Sequence, residues 1–149
     1  AVMAGKNIIV FPTDFSPRSK SAISWVQQMA EQLKAEVHCV YVVEEPQIYA
    51  TLDMGPVPIP SIEELTNSAR TRLDAYVRDN ISALGMSATG KVLVGRPADE
   101  IVSYAGSHNA RMVIMTTHGY SGVKHLLLGS TTEAVLRHAA CPVLSIRTA

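Results

Sequence analysis

Two cysteines in 149 residues, Cys39 and Cys141, are too few for a disulfide framework, and Cys39 falls inside an apolar run of strand character. Aromatic residues make up 5% and tryptophan occurs once, at Trp25. Lys+Arg equals Asp+Glu at 13 each, which leaves no basic surplus for a phosphate backbone; no nucleic-acid partner is expected. No apolar run reaches the ~20 residues of a membrane helix, and no membrane partner is expected. Ala1–Asn7 lacks the charged, apolar and small-residue layout of a secretion signal. These absences make a reduced, cytoplasmic setting the expectation.

What is present favours a packed core. Apolar residues reach 47% against 17% charged, and the length suits one domain, taken here as 1–149. Residues 6–13 form a nearly unbroken apolar run and read as a central strand buried on both faces. Ser16 suits a helix N-cap and Pro17 the first helical position. Ile23, Val26, Ala30 and Leu33 then set a helical stripe that predicts a helix over about 17–34, with Trp25 beside the stripe as a packing residue. A second strand is expected at 36–43. The capping box Ser61–Glu64 opens a helix whose stripe runs through Leu65, Ala69, Leu73, Tyr76, Val77, Ile81 and Leu84, closed by Gly85. A third strand follows at 88–94. A helix then opens at Arg96-Pro97-Ala98-Asp99-Glu100, with Ile101, Val102 and Ala105 on its core side. A strand at 111–116, a helix at about 131–139 and a strand at 142–147 complete the chain. The alternation of strands and helices, with strands apolar on both faces, predicts one parallel sheet covered by helices on both sides. With the first strand as pivot and the fourth beside it, the loops after both strands share one crevice at the carboxyl edge.

The chemistry concentrates in Met115 to Ser130. A strand leads in, glycines punctuate the loop, and a helix leads out. Ser130 and Glu133 have capping-box spacing, which places Ser130 at the helix start, and Gly129 lets an anion approach the helix amides. That is the layout of a phosphate cradle, and equally of an ordinary strand-to-helix turn. Asp14, at the end of the first strand, has two readings: acceptor for a ribose hydroxyl or adenine amino group, or an Asx turn. Other matches fail. Gly85 to Lys91 approximates a P-loop string but lies between a helix and a strand and ends in Val92. No G-x-G-x-x-G follows a strand, His118 and His125 lack carboxylate or Cys companions nearby, and Ser121 misses the nucleophile-elbow pattern.

Val10-Phe11-Pro12-Thr13-Asp14-Phe15-Ser16, Val40-Tyr41-Val42-Val43-Glu44, Gly95-Arg96-Pro97-Ala98-Asp99-Glu100-Ile101, Thr117-His118-Gly119 through Leu128-Gly129-Ser130, and Cys141-Pro142-Val143-Leu144 closely resemble the universal stress protein family, in order and over nearly the whole chain. The resemblance implies a Rossmann-like open sheet of five parallel strands in the order 3-2-1-4-5, and a homodimer paired through the last strand. The family's ATP-binding pattern is Gly, two residues, Gly, nine residues, Gly, then Ser or Thr; Gly119, Gly129 and Ser130 match it, while Thr116 stands where the first glycine belongs. By that resemblance the adenosine side maps to Pro12, Thr13, Asp14 and the backbone of Val42. The phosphate side maps to Met115, Thr116, His118, Gly119, Gly129, Ser130 and Thr131. The implied function is an ATP-, ADP- or AMP-binding regulator of the stress response with an unknown protein partner, any Mg²⁺ arriving with the phosphates. A slow ATPase or phosphoryl-transfer enzyme and a ligand-free interaction module are the alternatives. The apolar strand Val143, Leu144, Ile146 is expected at a sheet edge that pairs with a second copy. The segment 44–60, with four of the eight prolines, is expected to fold over the adenosine end of the crevice or onto the dimer partner, or else to be a mobile surface loop.

Overall fold

Alternating apolar side chains of the first strand face opposite layers of helices, and this decides the architecture. In the computed structural model, which describes residues 6–45, 60–117 and 128–147, strand β1 spans Asn7–Pro12. Ile9 and Phe11 point into one core with α2 (Ile23–Leu33) and α3 (Ile62–Asn80), while the short α1 (Pro17–Ser21) leads from β1 into α2. Ile8 and Val10 point into the other, with α4 (Pro97–Ser107) and α5 (Ser130–His138). Ile9, Val10 and Phe11 are fully buried, and burying side chains of this size stabilises by roughly 1.5–3 kcal/mol each. Strands β2 (Ala35–Val43), β3 (Ala88–Val94), β4 (Met112–Thr116) and β5 (Val143–Ile146) complete one parallel sheet in the order β3-β2-β1-β4-β5, as expected. The winding reverses at β1, whose neighbours are β2 and β4, with Ile9 opposite Met112 and Val10 opposite Val113.

Local signals placed most element starts. Ser16 caps α1 by accepting from the Ser19 amide, with Pro17 in the first turn. Ser61 caps α3 by accepting from the Glu64 amide at 3.1 Å. Four expectations need correction. The helix over 17–34 is two helices, divided at Ala22, where ψ opens to −13°. Trp25 is 45% exposed rather than packed, because the buried stripe of α2 is Ile23, Val26 and Ala30 and Trp25 lies off it. The stripe of α3 ends at Ile81; Leu84 sits in a 3₁₀ turn over Ser82–Leu84 and is 48% exposed, and Gly85 closes that turn at φ +90°. Ser130 is not the N-cap of α5. Gly129 is, with extended φ −68° and ψ 157°, its carbonyl accepting the Glu133 amide at 3.0 Å. Displaced to the first helical position, Ser130 makes no capping bond, and the Glu133 carboxylate pairs with Arg137 at 2.8 Å instead of reaching back.

The far end of β2 is tied to α4 by a buried polar set. His38 lies between the Tyr104 hydroxyl (2.7 Å from Nδ1) and the Glu36 carboxylate (3.0 Å from Nε2), so both ring nitrogens are satisfied. Most of the 44–60 segment, including Ile48, Tyr49, Leu52 and Met54, lies outside the described residues, as do His118 and Gly119.

Candidate functional site

The turn leaving β1 is built by its own side chains. The Thr13 amide donates to the Val40 carbonyl at 2.9 Å, prolonging the β1–β2 ladder by one bond. Its hydroxyl donates to Ser19 Oγ at 3.0 Å and accepts the Phe15 amide at 3.0 Å. Asp14 Oδ1 accepts the Ser16 amide at 2.9 Å, an Asx turn. Between these two short loops Phe15 is held at φ +64°, a left-handed conformation that a bulky side chain rarely adopts. Ring packing offsets the cost. Phe15 stacks on Tyr41 with centroids 4.6 Å apart, meets Tyr76 edge-on at 5.6 Å, and carries the Arg72 guanidinium 4.4 Å above its ring. Beneath the turn, Ser19 Oγ donates to the Ser16 carbonyl at 2.9 Å and meets the Tyr76 hydroxyl at 2.9 Å. Burial raises the Tyr76 pKa above its ordinary value, although its bonds with Ser19 and Thr13 act in the opposite direction. The site is therefore braced from α3, far away in sequence.

Opposite this turn, the end of β4 is fastened to the start of α5. The Gly129 amide donates to the Thr117 carbonyl at 2.6 Å, and Thr132 Oγ1 donates to the Thr116 carbonyl at 2.8 Å. The amides of Ser130, Thr131 and Thr132 precede the first helical bond of α5, and the helix dipole leaves that end electropositive. Thr116 is an ordinary strand residue, opposite Ile146 in the β4–β5 register, and has no positive φ. The backbone at that position does not require glycine.

One cleft of about 690 Å³ spans the two structures along the carboxyl edge of the sheet. Pro12, Thr13, Asp14, Val42, Met115, Thr116, Gly129, Ser130 and Thr131 all line it, so nine residues singled out in sequence, from four separate segments, meet in one space. Sequence reasoning missed the wall supplied by α3: Leu65, Ser68, Ala69 and Arg72. Their helical spacing was legible, but it is the spacing of a core stripe, and nothing in it signals a ligand. Phe15, Tyr41, Pro97 and Ile101 were likewise missed as lining residues. Among the described lining residues, Asp14 and Glu44 are the carboxylates and Arg72 the cation; the α5 end offers neutral hydroxyls and amides. Among the described residues no group of three or more His, Cys, Asp or Glu is arranged to hold a metal ion.

The match to the model of the universal stress protein family extends over residues 6–147. The chain belongs to that family. One relative, universal stress protein MJ0531 of Methanocaldococcus jannaschii, is 32% identical over 146 residues, covering 96% of this chain and 85% of its own. The solved structure of MJ0577 from the same organism superposes with a TM-score of 0.75 at 27% identity, covering 96% of both chains. The universal stress protein from Archaeoglobus fulgidus in complex with dAMP has the same fold, with a TM-score of 0.69 at 20% identity over 97% of this chain and 99% of that one. The five-stranded order β3-β2-β1-β4-β5 is thus the universal stress protein arrangement, and the cleft lies where its two carboxyl-edge loops face each other.

Proposed function

We propose that the cleft binds an adenine nucleotide, ATP or its products ADP and AMP, and that this universal stress protein acts as a nucleotide-responsive regulator of the stress response in the form of a homodimer paired through β5. The observation that carries the reading is the meeting of Pro12–Asp14 and Val42 on one side with Thr116 and Gly129–Thr131 on the other, in a space of about 690 Å³. A cavity of this size suits a small organic ligand. The residues present fit the group. Free amides at the N-terminus of α5 suit phosphate oxygens, as helix N-termini do generally. On the other side, the Asp14 carboxylate suits ribose hydroxyls, and the backbone of Val42 suits the edge of a purine. The fold itself accommodates such a ligand, since a family member binds dAMP. Mg²⁺, where present, accompanies the phosphates and is held chiefly by them.

In this reading His118 and Gly119 belong to the phosphate side together with Met115. Nucleotide occupancy alters the surface around the cleft and thereby the affinity for a protein partner. Two measurements test the reading. Mass spectrometry of the denatured, freshly purified protein should release an adenine nucleotide, and isothermal titration should give saturable binding of ATP, ADP or AMP. A protein that carries none and binds none overturns the proposal and leaves the ligand-free interaction module. Steady release of phosphate from ATP by the purified protein would replace the regulator with a slow ATPase.

A further inference from the structure

The nucleotide reading uses the α5 end of the cleft and the turn after β1, and it leaves the α3 wall without a task. Ser68 and Arg72 are four residues apart on α3, so they share a helix face, and both line the cleft. Arg72 is the one cationic side chain among the described lining residues, and no carboxylate pairs with it among the described salt bridges. Its guanidinium lies 4.4 Å above the Phe15 ring. That ring is itself fixed by the Tyr41 stack at 4.6 Å and by the Phe15 amide bond to Thr13 Oγ1 at 3.0 Å. A guanidinium held over a ring face is placed by the cation–π attraction and keeps its N–H groups for an oxyanion, which an arginine fork can take in bidentate fashion. An otherwise exposed arginine is thereby partly ordered before any ligand arrives, which lowers the entropy lost on binding.

Position indicates which anion. Helix α3 packs on the core face shared with α2, and α5 on the opposite face, so Arg72 stands across the sheet edge from the 5′-phosphate cradle. Phe15, which carries Arg72, directly follows Asp14, the residue assigned to the ribose. From this we infer that Ser68 and Arg72 form a second anion position, one that takes a phosphate esterified to the ribose of the bound nucleotide. The ligand class is an adenosine bisphosphate, phosphorylated at the 5′ position and at the 2′ or 3′ position. The two lining carboxylates, Asp14 and Glu44, oppose additional negative charge, and Arg72 supplies the compensation that the neutral α5 end does not. This inference rests on the adenine-nucleotide reading above and extends it to the choice among nucleotides.

The experiment is isothermal titration of the full chain with 5′-AMP, adenosine 3′,5′-bisphosphate and adenosine 2′,5′-bisphosphate. One bisphosphate should bind about tenfold or more tightly than AMP, the scale of one charge-assisted bidentate contact. Arg72→Gln should abolish that advantage while leaving AMP affinity within about twofold, and Arg72→Lys should keep part of it, since a point charge cannot reproduce the fork. Ser68→Ala should reduce it by a smaller factor. Bisphosphates that bind no tighter than AMP, or an advantage that survives Arg72→Gln in a protein with an unchanged circular dichroism spectrum, overturn the second anion position alone. An Arg72→Gln protein that loses AMP and bisphosphate affinity equally overturns it too, and makes Arg72 a support for Phe15. Failure of all three nucleotides to bind overturns the underlying nucleotide reading and this inference with it.

Discussion

The Gly129 amide donates to the Thr117 carbonyl at 2.6 Å, and this bond sets where α5 begins. It draws the residue before the helix onto the end of β4, so Gly129 takes the cap position and Ser130 enters the first turn. The bond from Thr132 Oγ1 to the Thr116 carbonyl, 2.8 Å, fastens the next turn to the same strand end. The helix amides are therefore aimed by tertiary bonds to β4 rather than by a side-chain cap. Thr116 fits this arrangement without a positive φ, so replacing the family's first motif glycine leaves the strand end intact.

Substituting Gly129 by Val tests the phosphate side. The residue has φ −68° and ψ 157°, which a β-branched residue adopts readily, so the fold should persist. Valine is a poorer N-cap than glycine, and a loss of about 1 kcal/mol is expected in urea unfolding. Two methyl groups at the cradle should abolish measurable nucleotide binding by isothermal titration. A folded Gly129→Val protein that keeps its affinity would show that the phosphates lie elsewhere.

Gly95 tests the connection from β3 to α4. Its φ is +144°, and a Cβ built there would come within 2.6 Å of Glu100 Oε1 and 3.0 Å of Glu100 Cγ. Its amide also donates to the Val43 carbonyl at 3.0 Å, so the backbone cannot move without breaking a bond to β2. Gly95→Ala should destabilise by about 1–3 kcal/mol, the usual scale for a non-glycine residue in a disfavoured backbone conformation. The carboxylate of Glu100 can swing away but φ cannot, so adding Glu100→Ala should recover only a minor part. Full recovery in the double variant would make the clash, not the backbone, the cause.

The sequence made legible whatever is decided locally or by period. Ser16-Pro17 and Ser61–Glu64 announced their helix starts because each cap is closed within three residues. Apolar runs announced β1 and β2 because both faces are covered. Taking β1 as the pivot brought the turn at Asp14 to the loop before α5, and the strand order itself came from the family resemblance. What stayed hidden depends on contacts distant in sequence. Ser130 has a perfect capping-box partner at Glu133, yet Thr117 overrides it. Asp14, left open between an Asx turn and a ligand contact, makes the Asx turn with one oxygen and lines the cleft as well, so the two readings do not compete. Arg72 lies off the apolar stripe that marks α3, and its place over the cleft depends on a left-handed Phe15 far earlier in the chain.

Alkaline pH tests the bracing from α3. Burial raises the pKa of Tyr76, and also that of Tyr104 on α4, above the ordinary value of 10.0. A folded-state pKa above the unfolded one means stability that is complete below about pH 10 and is lost as pH rises through the folded value. Burial also raises the thiols of Cys39 and Cys141 above their ordinary 9.0, so urea midpoints should hold up to about pH 9, decline above it, and take on the tyrosine contribution above about pH 10. Tyr76→Phe should cost about 0.5–1.5 kcal/mol at neutral pH through its lost bond to Ser19, and should show a shallower alkaline decline. An alkaline decline of undiminished slope in Tyr76→Phe would assign the sensitivity to other groups.

The proposed dimer is tested at β5. Among the described residues this strand pairs with β4 alone, its Pro142 and Ile146 carbonyls accepting from Val113 and Thr117, and it is the last strand of the sheet. An edge bearing Val143, Leu144 and Ile146 invites a second copy. Analytical ultracentrifugation at micromolar concentration should give a dimer mass, and a monomer there overturns the assembly.

Ser145 sits within that strand opposite Met115, one of the cleft residues, and its hydroxyl is buried without a hydrogen-bond partner among the described residues. A hydroxyl in that state has given up water and gained nothing, a loss of about 1–3 kcal/mol for a fully desolvated group. Deleting it removes one atom from a small side chain, so little packing is forfeited. Ser145→Ala should therefore be neutral or stabilising, raising the urea midpoint with an unchanged slope, and should leave nucleotide affinity as it was, because the alanine methyl keeps the surface behind Met115 filled. If Ser145→Ala instead lowers stability by about 1 kcal/mol or more, the hydroxyl has a partner in solution. A loss that appears only at concentrations where the protein dimerises would place that partner across the β5 edge.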